Sequence, residues 1–381
     1  MIQPQMRNRP YLLLTILLLV TLACSAPAWL APTPFPSPAP PSLPESNSTP
    51  SPQPTPTALP PTPAPPLSSA TLKNAVYRLV DFPDLGQGGS FQLENGEYHQ
   101  AIAPGSASEM VVRLDRFAVG DLNGDGLADA VVLLGVNTGG SGTFMDLVAL
   151  LNQGEEQPLQ AATRPLGDRT KVEGLQIASG RVQIEMVTHA PEDPLCCPSL
   201  HVKEEYRLQD GQLVTQLEST LFSLAREIVQ SLRECDTATL AKYVHPTLGV
   251  RFAPYTYVRP EYLVFGPGQV KDLASDPERY TWGVYDGSGA PIILTFSEYL
   301  DKFIYCRDFA AATQVSLNRP IGSGNSINNI AEFYPGAAVV EFFIPGTEQY
   351  GGMDWHSLRL VFQPEGEKWT LIAIINDQWT I

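Results

Sequence analysis

The stretch Asp121-Leu122-Asn123-Gly124-Asp125-Gly126-Leu127-Ala128-Asp129 concentrates hard oxygen donors in nine residues. Side-chain oxygens of Asp121, Asn123, Asp125 and Asp129 stand at positions 1, 3, 5 and 9, the Leu127 carbonyl at position 7, and Gly126 lets the backbone curl between them. Calcium takes about 6–8 such oxygens, so the spacing points to a structural calcium site. The competing use of the same residues is a turn in which Asx side chains accept only from backbone amides. Either way, three crowded carboxylates need a cation or a set of N–H donors to offset their repulsion.

Cysteine chemistry is the second candidate. Beside Cys24 the chain carries Cys196, Cys197, Cys235 and Cys306, an even number that allows three pairings in an exported protein. Cys235 with Cys306 would close a loop of about 70 residues, stabilising by roughly 4 kcal/mol through chain entropy. Adjacent Cys196 and Cys197 suit either a loop staple or a strained vicinal bridge with an oxidising potential. Neighbouring cysteines rarely chelate one ion and no CxxC is present, which disfavours a metal.

A third set lies further along. Arg251, Tyr255, Asp286 and Asp354, with Trp282 and Trp355 as apolar or sugar-stacking walls, are the candidate ligand-binding residues, and His245, Tyr257, His356 and Arg359 belong to the same pool. Acid–base catalysis would need a pair within reach, such as Asp286 with Asp354, or His245. No GxSxG, HExxH or phosphate-loop pattern occurs, so no catalytic residue is assigned. Non-catalytic binding is the leading expectation and a cell-envelope hydrolase the alternative.

Two patterns must position these residues. Over 71–217 the chain alternates apolar and polar positions around turn pairs, with Phe91-Gln92-Leu93 and Tyr98-His99 flanking Asn95-Gly96, and similar runs around Ser179-Gly180 and Asp210-Gly211. This predicts a mainly antiparallel β domain, with Asn137–Thr143 as a connecting loop between apolar strands at 131–136 and 144–151. Over 218–381 the pattern begins with a helix bearing Leu221, Leu224, Ala225, Ile228, Val229 and Leu232. A short second helix follows, capped by Asp236 and running to Val244. Strands at 250–257, 338–344, 357–363 and 369–375 and a helix at 296–305 complete an α+β segment, making the whole chain α+β.

The remaining residues address the protein to a place. A basic start with Arg7 and Arg9 and a 13-residue apolar run, Tyr11–Ala23, form an export signal over 1–24; about 20 Å of helix is too short to span a ~30 Å hydrocarbon core. Residues 25–70 are a Pro/Thr/Ser tether, and 17 of the 36 prolines fall between Pro27 and Pro66. As polyproline II it would reach on the order of 120 Å. Removing Arg7, Arg9 and Glu45 leaves 22 basic and 39 acidic side chains, a balance that argues against nucleic acid as a partner.

Several stretches resemble known families. Thr21-Leu22-Ala23-Cys24 is similar to a bacterial lipobox, which implies lipid modification of Cys24 and anchorage on the outer face of the cytoplasmic membrane, with an envelope polymer or protein as partner. An EF-hand would need Glu where Val132 stands, together with flanking helices; the 121–129 loop instead resembles the calcium loop of FG-GAP-type repeats, present in one copy. The helix-then-sheet order of 218–381 resembles the cone fold of ketosteroid isomerase and nuclear transport factor relatives. The words His245–Phe252, Tyr280–Gly289, Tyr350–Trp355 and Asp377–Ile381 look like a family of uncharacterised Gram-positive lipoproteins, and the first segment resembles exported proteins of Chloroflexi-like bacteria. These resemblances imply location and domain limits and bring no activity.

Overall fold

In the computed structural model the described residues are 67–155 and 157–380. The expected signal with Cys24, and the tether up to residue 66, lie outside them. A buried Leu67 and helix α1 (Ser69–Lys73) lead into β1 (Val76–Arg78) and β2 (Ser90–Gln92), which pair with each other. An antiparallel meander follows: β3 (Glu97–Ala101), β4 (Glu109–Gly120), β5 (Asp129–Asn137), β6 (Phe144–Leu151) and β7 (Leu159–Asp168). A second meander comprises β8 (Lys171–Ala178), β9 (Arg181–Thr188), β10 (Leu200–Gln209) and β11 (Gln212–Val214).

The apolar runs of β5 and β6 are continuous because both of their faces are covered. Val132, Leu134, Val148 and Leu150 pack toward α1, Tyr77 and Phe91, while Val131, Leu133, Leu147 and Ala149 pack against Val182 and Ile184 of the second meander. Turns at Ser179-Gly180 and Asp210-Gly211 have the positive φ that short hairpins require. Asn95 and Gly96 also have positive φ, but their flanking strands part company. Phe91 is drawn into the cluster with Tyr77, so β2 joins β1 and β3 joins β4, contrary to the hairpin expected from local pattern.

At residue 215 the chain turns helical. The Thr215 hydroxyl accepts from Glu218 N, and the Glu218 carboxylate accepts from Thr215 N, a capping box that starts α2 (Gln216–Arg233). Asp236 caps α3 (Thr237–Leu240), which ends earlier than expected. Then come β12 (Val250–Ala253), β13 (Val264–Phe265), α4 (Pro267–Asp272) and the hairpin of β14 (Tyr280–Val284) and β15 (Pro291–Leu294). Helix α5 (Phe296–Tyr299) continues as a π turn, Leu300–Ile304. The last elements are β16 (Gln314–Leu317), α6 (Ile330–Phe333), β17 (Ala338–Ile344), β18 (His356–Glu365) and β19 (Lys368–Gln378).

Six of these strands form one sheet in the order β13-β12-β19-β18-β17-β16, antiparallel except where β12 lies parallel to β19. One face packs Phe252, Leu358, Leu360 and Ile374 against the apolar stripe of α2 and a cluster of aromatic rings. The described chain is thus predominantly antiparallel β with few helices, and none of those helices is long and apolar enough to cross a membrane.

The other face of this sheet buries charge. Arg359, 1% exposed, donates through Nη1 to Asp377 Oδ2 and Thr256 Oγ1, both at 2.6 Å, and through Nη2 to the Gly322 carbonyl at 2.8 Å, with Glu341 Oε1 at 3.4 Å. Glu341 also accepts from Ile321 N and Gly322 N, each at 2.9 Å, and from the Ser357 hydroxyl. Only glycine fits at 322, since a Cβ would come within 2.5 Å of Ser357 Oγ and 2.6 Å of the Trp355 ring. Burial pushes the Asp377 carboxyl up to about 6 although Arg359 pulls it down. Removing Arg359 would leave two buried acids facing each other. Arg359→Ala is expected to destabilise by about 3–5 kcal/mol in urea unfolding; a variant as stable as wild type would show that the network is dispensable.

Candidate functional site

The residues singled out by sequence separate into several surroundings. Tyr255 and Asp286 come together at a cleft of about 330 Å³, whose walls also include Tyr257, Arg259, Tyr262 and Tyr285. The loop after β12 and the β14–β15 turn build most of it, and Ser326 completes the wall. Arg251 stands behind the first, donating from Nη1 to the carbonyls of Arg259, Pro260 and Tyr262 at 3.3, 2.7 and 2.6 Å. It therefore holds the loop that carries three of the tyrosines, and does not itself line the cleft. Asp286 N donates to the Tyr255 hydroxyl at 3.2 Å, joining the two walls.

Packing fixes the rings. Tyr255 meets Phe303 edge-on at 6.0 Å, and Lys302, on the π turn, donates to the Tyr285 hydroxyl at 2.8 Å with its ammonium 4.6 Å from that ring's centre. Gly283 has φ +142°, and a Cβ there would lie 2.9 Å from the Tyr262 ring, so a side chain at 283 would push that wall out. Burial raises the Tyr255 and Tyr262 phenols above their usual range, keeping them neutral donors. The cleft thus offers aromatic faces, neutral hydroxyls, one guanidinium and one carboxylate. That combination suits stacking and hydrogen bonding to a hydroxylated ligand.

The candidate acid–base groups do not meet there. Asp354 accepts from Thr347 N at 2.6 Å and Thr347 Oγ1 at 3.0 Å, closing its own loop. His245 is buried, with Nδ1 accepting from Thr247 N and Leu248 N and Nε2 3.2 Å from Glu365, which places its proton on Nε2 in a turn-closing role. Neither residue lines the cleft at Asp286.

Both tryptophans are packing residues rather than cleft walls, which corrects the expectation from sequence. Trp282 is fully buried, stacked on Tyr299 at 3.9 Å, with Nε1 donating to the Leu294 carbonyl. Trp355 is 7% exposed and lies over Gly322 and Gly324 beside Phe343. Their size and apolarity made burial the stronger demand.

In the 121–129 loop the acidic side chains accept from the loop's own amides. Asp121 accepts from Gly124 N and Gly126 N, Asn123 from Asp125 N, and Asp125 from Leu127 N. Asp129 is fully buried and takes Leu122 N at 2.8 Å and Asn152 N at 2.9 Å. Among the described residues no three His, Cys, Asp or Glu side chains are gathered as metal ligands. A calcium ion would therefore have to draw Asp121 and Asp125 toward Asp129, using lone pairs that the amides leave free.

The cysteines divide in the same way. Cys196 and Cys197 are joined in an exposed loop between β9 and β10, whereas Cys235 and Cys306 are free thiols and do not form the expected bridge. Cys306 Sγ instead lies 3.5 Å from His356 Nδ1. Burial raises the thiol, and burial with Arg307 lowers His356 to about 4 against the pull of Asp354, so the pair is neutral.

Sequence reasoning missed Tyr262, Tyr285 and Arg259. The available signals were the tyrosine density of 255–262 and the Asp286-Gly287 turn that brings its neighbour Tyr285 to a tip. Comparison with protein-family models, curated proteins and solved structures finds no match for this chain.

His356 makes stability depend on pH with a definite sign. Its folded pKa lies below its unfolded value of about 6.5, so the unfolded chain binds the extra proton and stability falls as pH drops from about 6.5 to 4. Urea midpoints measured across this range should show a shallower fall in His356→Gln than in wild type; parallel curves would contradict the assignment.

Proposed function

We propose that this protein is a lipid-anchored, extracytoplasmic binding module whose tyrosine cleft stacks on a hydroxylated ligand of the cell envelope. The observation that carries this reading is a cleft walled by Tyr255, Tyr257, Tyr262 and Tyr285 that, among the described residues, holds one carboxylate, Asp286, and no second carboxylate or His beside it. Aromatic faces bind the apolar planes of sugar rings, and Arg259 and Asp286 can hydrogen-bond the hydroxyls at their edges. A hydrolase would need a second group converging on Asp286.

The cone-like reading of the second segment is supported by topology. A long helix precedes a sheet in which the first strand, β12, lies parallel to the last, β19, and the later strands form a meander. The cleft residues follow β12 and occupy the β14–β15 turn at its side. Placement outside the membrane rests on the export signal, Cys24 and the proline tether. The lipobox word and the β-rich body fit an envelope lipoprotein reaching beyond the membrane surface. Its acid excess suits a partner other than nucleic acid.

Full-length protein in detergent is expected to sediment with purified cell-wall glycan, and Tyr255→Ala/Tyr285→Ala to bind roughly tenfold or more weakly at unchanged secondary structure. Equal binding by the double variant would remove the cleft from the function. Calcium at Asp121, Asn123, Asp125, Leu127 and Asp129 is the accompanying structural proposal, supported by donor spacing. Calcium at a hundredfold excess over its dissociation constant should stabilise by about 2.7 kcal/mol relative to EDTA; identical melting in the two would overturn the site.

A further inference from the structure

A second cavity, of about 610 Å³, opens where the first sheets meet the chain around β16. Asp146, on β6, lines it. This carboxyl is 2% exposed, and among the described residues it has neither a hydrogen-bond partner nor an ion pair. That is an unusual state for a buried acid, since an uncompensated carboxylate is strongly disfavoured away from water. The charged groups that act on it are Asp81, which opposes its ionisation, and Arg319, which favours it. Both line the same cavity. Arg319 is already engaged with Asp81 at 3.5 Å, so its charge is shared and the cavity holds an excess of acid. Burial pushes the Asp146 carboxyl up to about 7, the direction expected for an acid lacking its counter-charge.

The rest of the wall defines what could supply that charge. Gln314, Thr313 and Ser316 contribute polar groups, and Val80, Val315 and Ile321 contribute apolar surface. The volume is that of an organic molecule and far exceeds one ion. Among the described residues no third acidic, His or Cys side chain gathers with Asp81 and Asp146 as a metal ligand. We propose that this cavity binds a small organic ammonium ion, with Asp146 as its counter-charge and the hydroxyl and amide groups contacting its body. An amine donates N–H bonds to the carboxylate and compensates its burial, which a neutral alcohol of the same shape cannot do. The site is separate from the tyrosine cleft and needs no property of it.

Isothermal titration of the full-length protein in detergent at pH 8 tests this with two amines, 1,5-diaminopentane and glucosamine, and their uncharged counterparts, 1,5-pentanediol and glucose. At least one amine is expected to bind, with its counterpart at least tenfold weaker. Asp146→Asn, nearly isosteric, should weaken the amine at least tenfold, whereas Glu192→Gln, an equal loss of charge on an exposed loop, should leave it unchanged. Gln314→Trp, placed on the cavity wall, should also block binding, and it serves if Asp146→Asn does not fold. Absence of binding by both amines, or equal affinity in wild type and the cavity variants, would overturn the proposal.

Discussion

The buried guanidinium of Arg359 is the constraint on which much of the second half of the molecule depends. It is almost fully buried on its sheet face, where a low dielectric strengthens its ion pairs, and the segments that cover it also supply its other acceptors. Thr256 lies between Tyr255 and Tyr257 of the tyrosine cleft. Gly322 lies between Arg319, on the wall of the Asp146 cavity, and Ser326, on the wall of the cleft. One side chain therefore anchors segments of both candidate sites. The acceptors that its two terminal nitrogens require limit how those segments can be placed.

Away from that network the body is held by apolar layers. The first meander is covered on both faces, which explains why β5 and β6 read as unbroken apolar runs rather than alternating ones. The face of the six-stranded sheet toward α2 is filled by rings, among them Phe252, Phe296, Tyr299 and Trp282. That filling leaves the interior packed, while at the side Tyr255 and Tyr285 rest on Phe303 and stay half-buried. The core and the walls of the tyrosine cleft thus draw on the same aromatic cluster at different depths.

Much of the fold was legible because it rests on local rules. The period of apolar residues located α2, the Asp236 cap located α3, and the positive-φ pairs at 179–180 and 210–211 located two hairpins. Where a local rule failed, a distant contact was responsible. Asn95-Gly96 forms its turn, yet Tyr77 recruits Phe91 into a different sheet from Tyr98. Cys235 and Cys306 had a plausible loop length between them, but His356, 50 residues beyond Cys306, occupies the place beside the Cys306 sulfur. For the candidate site, Tyr255 and Asp286 were recognisable as polar aromatic and acidic residues near turns, whereas Tyr262 and Tyr285 gained their role only through the meeting of two loops.

By itself the sequence determined a division into a short apolar run, a proline-rich stretch and a body with enough apolar residues to bury a core, because composition limits which segments can form one. It likewise determined the β-rich character, the long helix and the crowding of acids at 121–129, all of which depend on residues close together in the chain. Only the tertiary structure decided which acids have partners, which tryptophans are buried and which tyrosines share a cleft. Asp129 and Asp146 are both buried aspartates in apolar strands. One receives two backbone amides and the other faces a cavity, because hydrogen-bond partners and cavities are made by segments that only folding brings together.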